Sequence, residues 1–135
     1  MVEENTLRND VMPFIMGNGQ FCVDVAGESF YPESFFALCG PRREEGISEE
    51  TRARLTLQDD NEHDRHAVQV TIGGHAVGHL PREAARAFRR TVRYGKLSMY
   101  ETFECGALIC GGWDRGNGDV GNYGVRLDLK LEEDY

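Results

Sequence analysis

Residues 68–93 constrain the fold more tightly than any other part of the chain. Val68, Val70 and Ile72 alternate with Gln69 and Thr71, the two-residue period of a strand with one buried face. Gly73-Gly74 follows, and two residues free to take positive φ are what a two-residue hairpin turn requires. Residues 76–80 read as the returning strand. Pro81 then stands where a helix can begin, because the first helical turn has no use for its missing N–H. From Pro81 to about Arg93 the period becomes helical: Ala85, Phe88 and Val92 form one stripe that should pack on the sheet. Arg82, Arg86, Arg89 or Arg90, and Arg93 recur on another face, and Gly95 is placed to end the helix.

The remaining elements are mostly strands. Over residues 20–26, Phe21, Val23 and Val25 point one way while Cys22 and Asp24 point the other. A turn follows at residues 27–32, where Pro32 blocks regular pairing. Residues 33–38 are apolar and short, compatible with a helical turn or a strand. Residues 40–50 are rich in charge, Pro and Gly and read as a surface loop. Alternation resumes at 52–57, with Ala53, Leu55 and Leu57 inward. Residues 102–110 and 125–131 read as closing strands, joined by the glycine-dense, mobile-looking segment 111–118 around Trp113. Short antiparallel strands, one principal helix over about 81–94 and Gly-rich connections predict a mainly β (α+β) fold, a small, partly closed β-barrel.

At 135 residues the chain reads as a single domain, with a core over about 20–131 and an N-terminal extension over 1–18. A composition 40% apolar and 28% charged is that of a soluble globular protein. No apolar run approaches the roughly 20 residues that cross a bilayer, and the first residues lack the pattern of a secretory signal. A cytoplasmic protein without a membrane segment is expected. Cys22, Cys39, Cys105 and Cys110 form no Cys-x-x-Cys pair, so reduced, packed thiols are expected rather than structural zinc.

The net charge of −8 at first opposes a nucleic-acid partner, whose phosphates need Lys and Arg. Its distribution alters that. Residues 1–51 carry 10 acids against 3 bases, and residues 101–135 carry 8 against 3, whereas residues 52–100 carry 9 bases against 5 acids. The positive charge lies in the middle, with the hairpin and the helix.

The same middle segment holds the chain's densest polar motif, Asp59-Asp60-Asn61-Glu62-His63-Asp64-Arg65-His66-Ala67-Val68-Gln69-Val70, and then Gly78-His79-Leu80-Pro81-Arg82-Glu83-Ala84-Ala85. The run resembles the HIRAN domain, a module at the front of some DNA-remodelling ATPases that also stands alone in bacteria and phages. Asn61, Asp64, Ala67, Val68, Val70, Gly78, His79, Leu80, Pro81, Glu83 and Ala85 fall on the family's pattern. This resemblance independently implies a barrel of the OB or SH3-like type. It also implies binding of single-stranded DNA with preference for a free 3′ end, in a pocket made by an aromatic turn, the polar loop and the strand–helix junction. Phe30 and Tyr31 fall where the family carries a basic–aromatic pair, with Ser29 in the basic place. His63 stands where Tyr is often found. Asp64 is the expected acceptor for the 3′ hydroxyl, and His79 and Arg82 match positions expected to meet phosphate.

Physical alternatives stand beside these roles. Asn61 and Asp64 serve equally well to close the loop through Asx-turns. Phe30 suits a core position better than a stacking platform, whereas Tyr31, next to Pro32, suits an exposed one. The arginine stripe, Arg86 included, is either a phosphate contact or a solvated face paired with the acidic flanks. His63 and His66 lack a fixed third ligand, so no metal and no cofactor are expected. Motifs for a nucleophile elbow, a zinc protease or a phosphate-binding loop are absent, which argues against an enzyme. The expectation is a non-catalytic module for single-stranded DNA or DNA ends, working with a helicase, nuclease or other repair protein. The alternative is an acidic protein-interaction module, its Trp113 loop a lid or a partner surface, that never touches DNA.

Overall fold

The longest pairing in the computed structural model, which describes residues 12–131, joins strand β2 (Ile47–Leu57) to β5 (Thr102–Gly111), from Ile47 opposite Gly111 to Thr56 opposite Thr102. On β5 every second residue, Phe103, Cys105, Ala107 and Ile109, is buried, and Ala53 and Leu55 of β2 share that face. The other strands add on either side: β3 (Val68–Ile72) and β4 (His75–His79) beyond β2, β6 (Tyr123–Asp128) and β1 (Val23–Asp24) beyond β5. The result is one antiparallel sheet of order β1-β6-β5-β2-β3-β4. Gly73 and Gly74, at φ 56° and 83°, make the expected hairpin turn between β3 and β4.

The sheet curls until its two edges meet. Ala26, just past β1, exchanges both backbone hydrogen bonds with His79 at the end of β4, at 2.8 and 2.9 Å. A register shift between Val70 and Thr71 adds twist where the curl is needed. Gly78 permits the contact: a Cβ there would run into the Ala26 carbonyl oxygen and come within 2.6 Å of Val25 Cγ1, and its φ is 154°. This is the small, partly closed barrel expected from the sequence.

Two helices cover it. Helix α2 (Arg82–Tyr94) buries Ala85, Phe88 and Val92, and Phe88 meets Phe103 edge-on with ring centroids 5.3 Å apart. Truncating a fully buried Phe of this kind costs about 3–5 kcal/mol. Helix α1 (Pro32–Cys39) resolves the open reading of 33–38: Pro32 opens it, and Phe35 stacks on Tyr123 at 4.7 Å. No helix among the described residues is long and apolar enough to cross a membrane.

Several expectations need correction. Only Val23–Asp24 of the first strand is regularly paired, since Phe21 turns the backbone at φ 48°, although the alternation of faces holds. Residues 47–50, assigned to a loop, open β2. Their side chains are largely in solvent while their backbone pairs with β5, so composition carries no trace of the ladder. Gly95 ends α2 as expected, directly after Tyr94, but the left-handed position falls one residue later. Gly95 has φ −77°, and Lys96 takes φ 59° instead. The bonds Leu97 N–H to Val92 O (2.9 Å) and Lys96 N–H to Arg93 O (3.1 Å) form a Schellman motif around that lysine. The Trp113 loop is closed rather than loose: Trp113 Nε1 donates to Asp119 Oδ1 at 3.1 Å, and Gly121 N–H to Trp113 O at 3.0 Å. Cys22 is exposed, on the outward face that its alternation assigns it. Cys105 is buried, which pushes its thiol up to about 12. Of the N-terminal extension, residues 1–11 lie outside the described residues, and the chain at Phe14 runs alongside Glu104.

Candidate nucleic-acid interface

The polar loop between β2 and β3 is held by its own side chains. Asn61 Oδ1 accepts from the backbone of His63 (2.9 Å) and Asp64 (3.1 Å), and Asp64 Oδ1 accepts from His66 N–H (2.9 Å). The loop is therefore closed by Asx-turns. Asn61 Nδ2 also donates to Gln58 Oε1 at 3.2 Å. The same oxygen lies 2.9 Å from His79 Nε2. An amide oxygen only accepts, so the neutral His79 ring carries its proton on Nε2. Burial pushes the His79 pKa below the usual value, which keeps the ring neutral at pH 7. His79 offers a hydrogen bond here and no positive charge.

Asp64 keeps its second oxygen for the outside. Its carboxyl is held below the usual carboxylate range, chiefly by the His66 N–H, with Arg82, His66 and Arg86 adding favourable charge. Oδ2 sits 3.9 Å from Arg82 Nε, and the Arg82 side chain is 74% exposed. An ionised acceptor thus lies beside a reachable guanidinium. Arg82 is also the first residue of α2, whose N-cap, Pro81, supplies no side-chain hydrogen bond. The amides of that first turn keep their capacity for an anion.

The aromatic turn packs on β4, the strand that ends at His79. Gly27, at φ 83°, starts a 3₁₀ turn over Glu28–Phe30 that packs against β4 and β6. Glu28 Oε2 anchors it by accepting from Val125 N–H at 3.2 Å. Phe30 is 81% exposed and Tyr31 is half-buried, the reverse of the expected order. The cause is local: Tyr31 is the N-cap of α1, and its carbonyl accepts from Ser34 and Phe35, which turns the Tyr toward the protein and leaves Phe30 at the crest. His63 is exposed at the loop tip.

The structure joins Asn61 and His79 through Gln58 and sets Asp64 beside Arg82, while the turn that carries Phe30 packs against β4, the strand that ends at His79. His63 lies at the rim, and Arg86 one helical turn beyond Arg82. Among the described residues no three His, Cys, Asp or Glu side chains converge to hold a metal ion.

Two side chains important to this geometry escape a reading of the sequence. Gln58, at the end of β2, links His79 to Asn61, and no periodicity marks it. Arg89 belongs to the arginine stripe by spacing but folds onto the loop. It donates to Asp59 Oδ1 (2.7 Å), His66 O (3.0 Å) and Ala67 O (3.0 Å), with its side chain only 17% exposed. Its position next to the buried Phe88 was the available signal.

A family model described as HIRAN domain matches residues 18–105, well over half of the chain. No curated protein and no solved structure matches it.

Proposed function

We propose, on the premise that this chain belongs to the HIRAN domain family, that it binds single-stranded DNA by its free 3′ end at the barrel seam and has no catalytic activity of its own. HIRAN domains are DNA-binding modules; the end preference and the residue roles are the proposal. The observation that carries it is the pairing of an ionised, outward Asp64 oxygen with the exposed Arg82 at the start of α2. A carboxylate accepts from a 3′ hydroxyl and repels a 3′ phosphate. The guanidinium and the first-turn amides favour the phosphate next to it.

In this reading Phe30 stacks on the terminal base, with Tyr31 and His63 at its margins, an interaction of about 1–3 kcal/mol per base. His79 braces the loop through Gln58, Asn61 holds the loop in shape, and Arg86 meets the next phosphate. Delivery of a bound end to a helicase, nuclease or other repair protein is the corresponding biological role.

Fluorescence anisotropy of a short single strand, with its 3′ hydroxyl free or phosphorylated, tests this. The free end should bind more tightly, and Asp64→Asn should narrow the difference. Equal affinity for both ends in the unsubstituted protein would remove the end-recognition role. Absence of binding to either at low salt would turn the reading toward a protein partner.

A further inference from the structure

We infer that the arginine face of α2 forms a track for the internal phosphates of the strand whose 3′ end sits at the seam; the inference rests on the end-binding reading above. Arg82, Arg86, Arg90 and Arg93 fall within about 80° of arc on the helix, while Arg89 between them is turned onto the polar loop. Glu83 is the only acid in α2. A solvated face stabilised by ion pairs would show carboxylates along the whole row. Here Arg82 faces Asp64 and Arg89 faces Asp59, whereas among the described residues neither Arg86 nor Arg93 lies in an ion pair.

The shape beside the row fits a backbone. One concave surface of about 450 Å³ is lined by Arg86, Arg89, Arg90, Arg93, His66 and Ser98 among others. A second, of about 680 Å³, is lined by Arg86, Arg90 and Lys130, with Glu83 the single acid among its lining residues. Cations flanking a groove suit phosphates that pass through it. At the far end, where α2 stops, Tyr94 is 67% and Met99 73% exposed. They offer an aromatic and an apolar face to an unstacked base. From Arg82 to Arg93 the row runs about 16 Å. That is about five nucleotides at the 3.4 Å per-strand spacing of a duplex, and fewer for a stretched strand.

The track is separable from the terminal pocket by strand length. Thymidine trinucleotide and decanucleotide, both with free 3′ hydroxyls, are compared by anisotropy competition at about 50 and 200 mM salt. Each neutralised phosphate contributes about −0.7 to the slope of log affinity against log salt for a single strand. Arg90→Gln with Arg93→Gln should leave the trinucleotide unaffected. It should flatten the decanucleotide slope by about 1.4, so that the fourfold rise in salt costs the variant about sevenfold less affinity than the unsubstituted protein. Arg90 is half-buried, so Arg93→Gln alone, at an exposed position, provides a second variant. Its slope should fall by about 0.7, a difference of nearly threefold.

If the trinucleotide binds with the same salt slope as the decanucleotide, or the substitutions leave the decanucleotide slope unchanged, the track is wrong and the terminal pocket survives. If the decanucleotide slope falls as stated while a 3′ phosphate makes no difference, the track stands and the terminal pocket is wrong.

Discussion

Gly78→Ala tests whether closure of the barrel makes the site. The added Cβ meets the Ala26 carbonyl oxygen, a backbone atom that cannot swing aside, and approaches Val25 Cγ1 to 2.6 Å. The backbone must also hold φ 154°, which is costly for a residue with a side chain. Overpacking of this kind costs about 1–3 kcal/mol. Relief by separating the strands instead sacrifices the two Ala26–His79 hydrogen bonds, each contributing about 0.5–1.5 kcal/mol. The stiffer unfolded chain returns about 0.4–1 kcal/mol. With about 1–3 kcal/mol of backbone strain added to either cost and that return subtracted, the net expectation is a destabilisation of about 1–5 kcal/mol, read from urea denaturation. The amides of Ala26 and His79 should lose protection in hydrogen exchange, and discrimination between free and blocked 3′ ends should fall with them, because the Phe30 turn rides on β4. A loss under about 0.5 kcal/mol with both amides still protected would refute the claim that close edge contact holds the turn against the junction.

Arg89→Ala removes two hydrogen bonds to loop carbonyls and should cost about 1–3 kcal/mol, with faster amide exchange across residues 58–67. The Asp59 pair adds little to that figure, since Asp59 is 72% exposed. Lys96→Gly should stabilise the fold by up to about 1 kcal/mol in denaturant titrations, by relieving a left-handed lysine at the end of α2. The depressed His79 pKa means that the unfolded chain binds a proton more readily than the folded one. Stability should thus fall as pH drops below about 6.5, and His79→Gln should flatten Tm between pH 7 and pH 5.5; an unchanged slope would assign the loss to another group.

The elements legible in the sequence are those set by local physics. Val68, Val70 and Ile72, the Gly73-Gly74 turn and the Ala85–Phe88–Val92 stripe each show a period that depends only on neighbours along the chain. The polar half of β2 was hidden because its stabilising partner is the backbone of β5, far along the sequence. The motif residues of the candidate site were visible as types and spacings, but their division of labour was not. The family resemblance singled out Asp64 as an acceptor, but only the hydrogen-bond geometry shows Asn61 turned inward and one Asp64 oxygen left toward Arg82.

Alternation, turn chemistry and helical period therefore determined a mainly β barrel with an arginine-faced helix after the second hairpin strand. Tertiary structure alone decided that β1 and β4 close at Ala26 and His79, and that Arg89 leaves its stripe to clamp the loop. Each of these depends on contacts between segments distant in the chain, and one-dimensional periodicity carries no information about which distant backbone or carbonyl will be near.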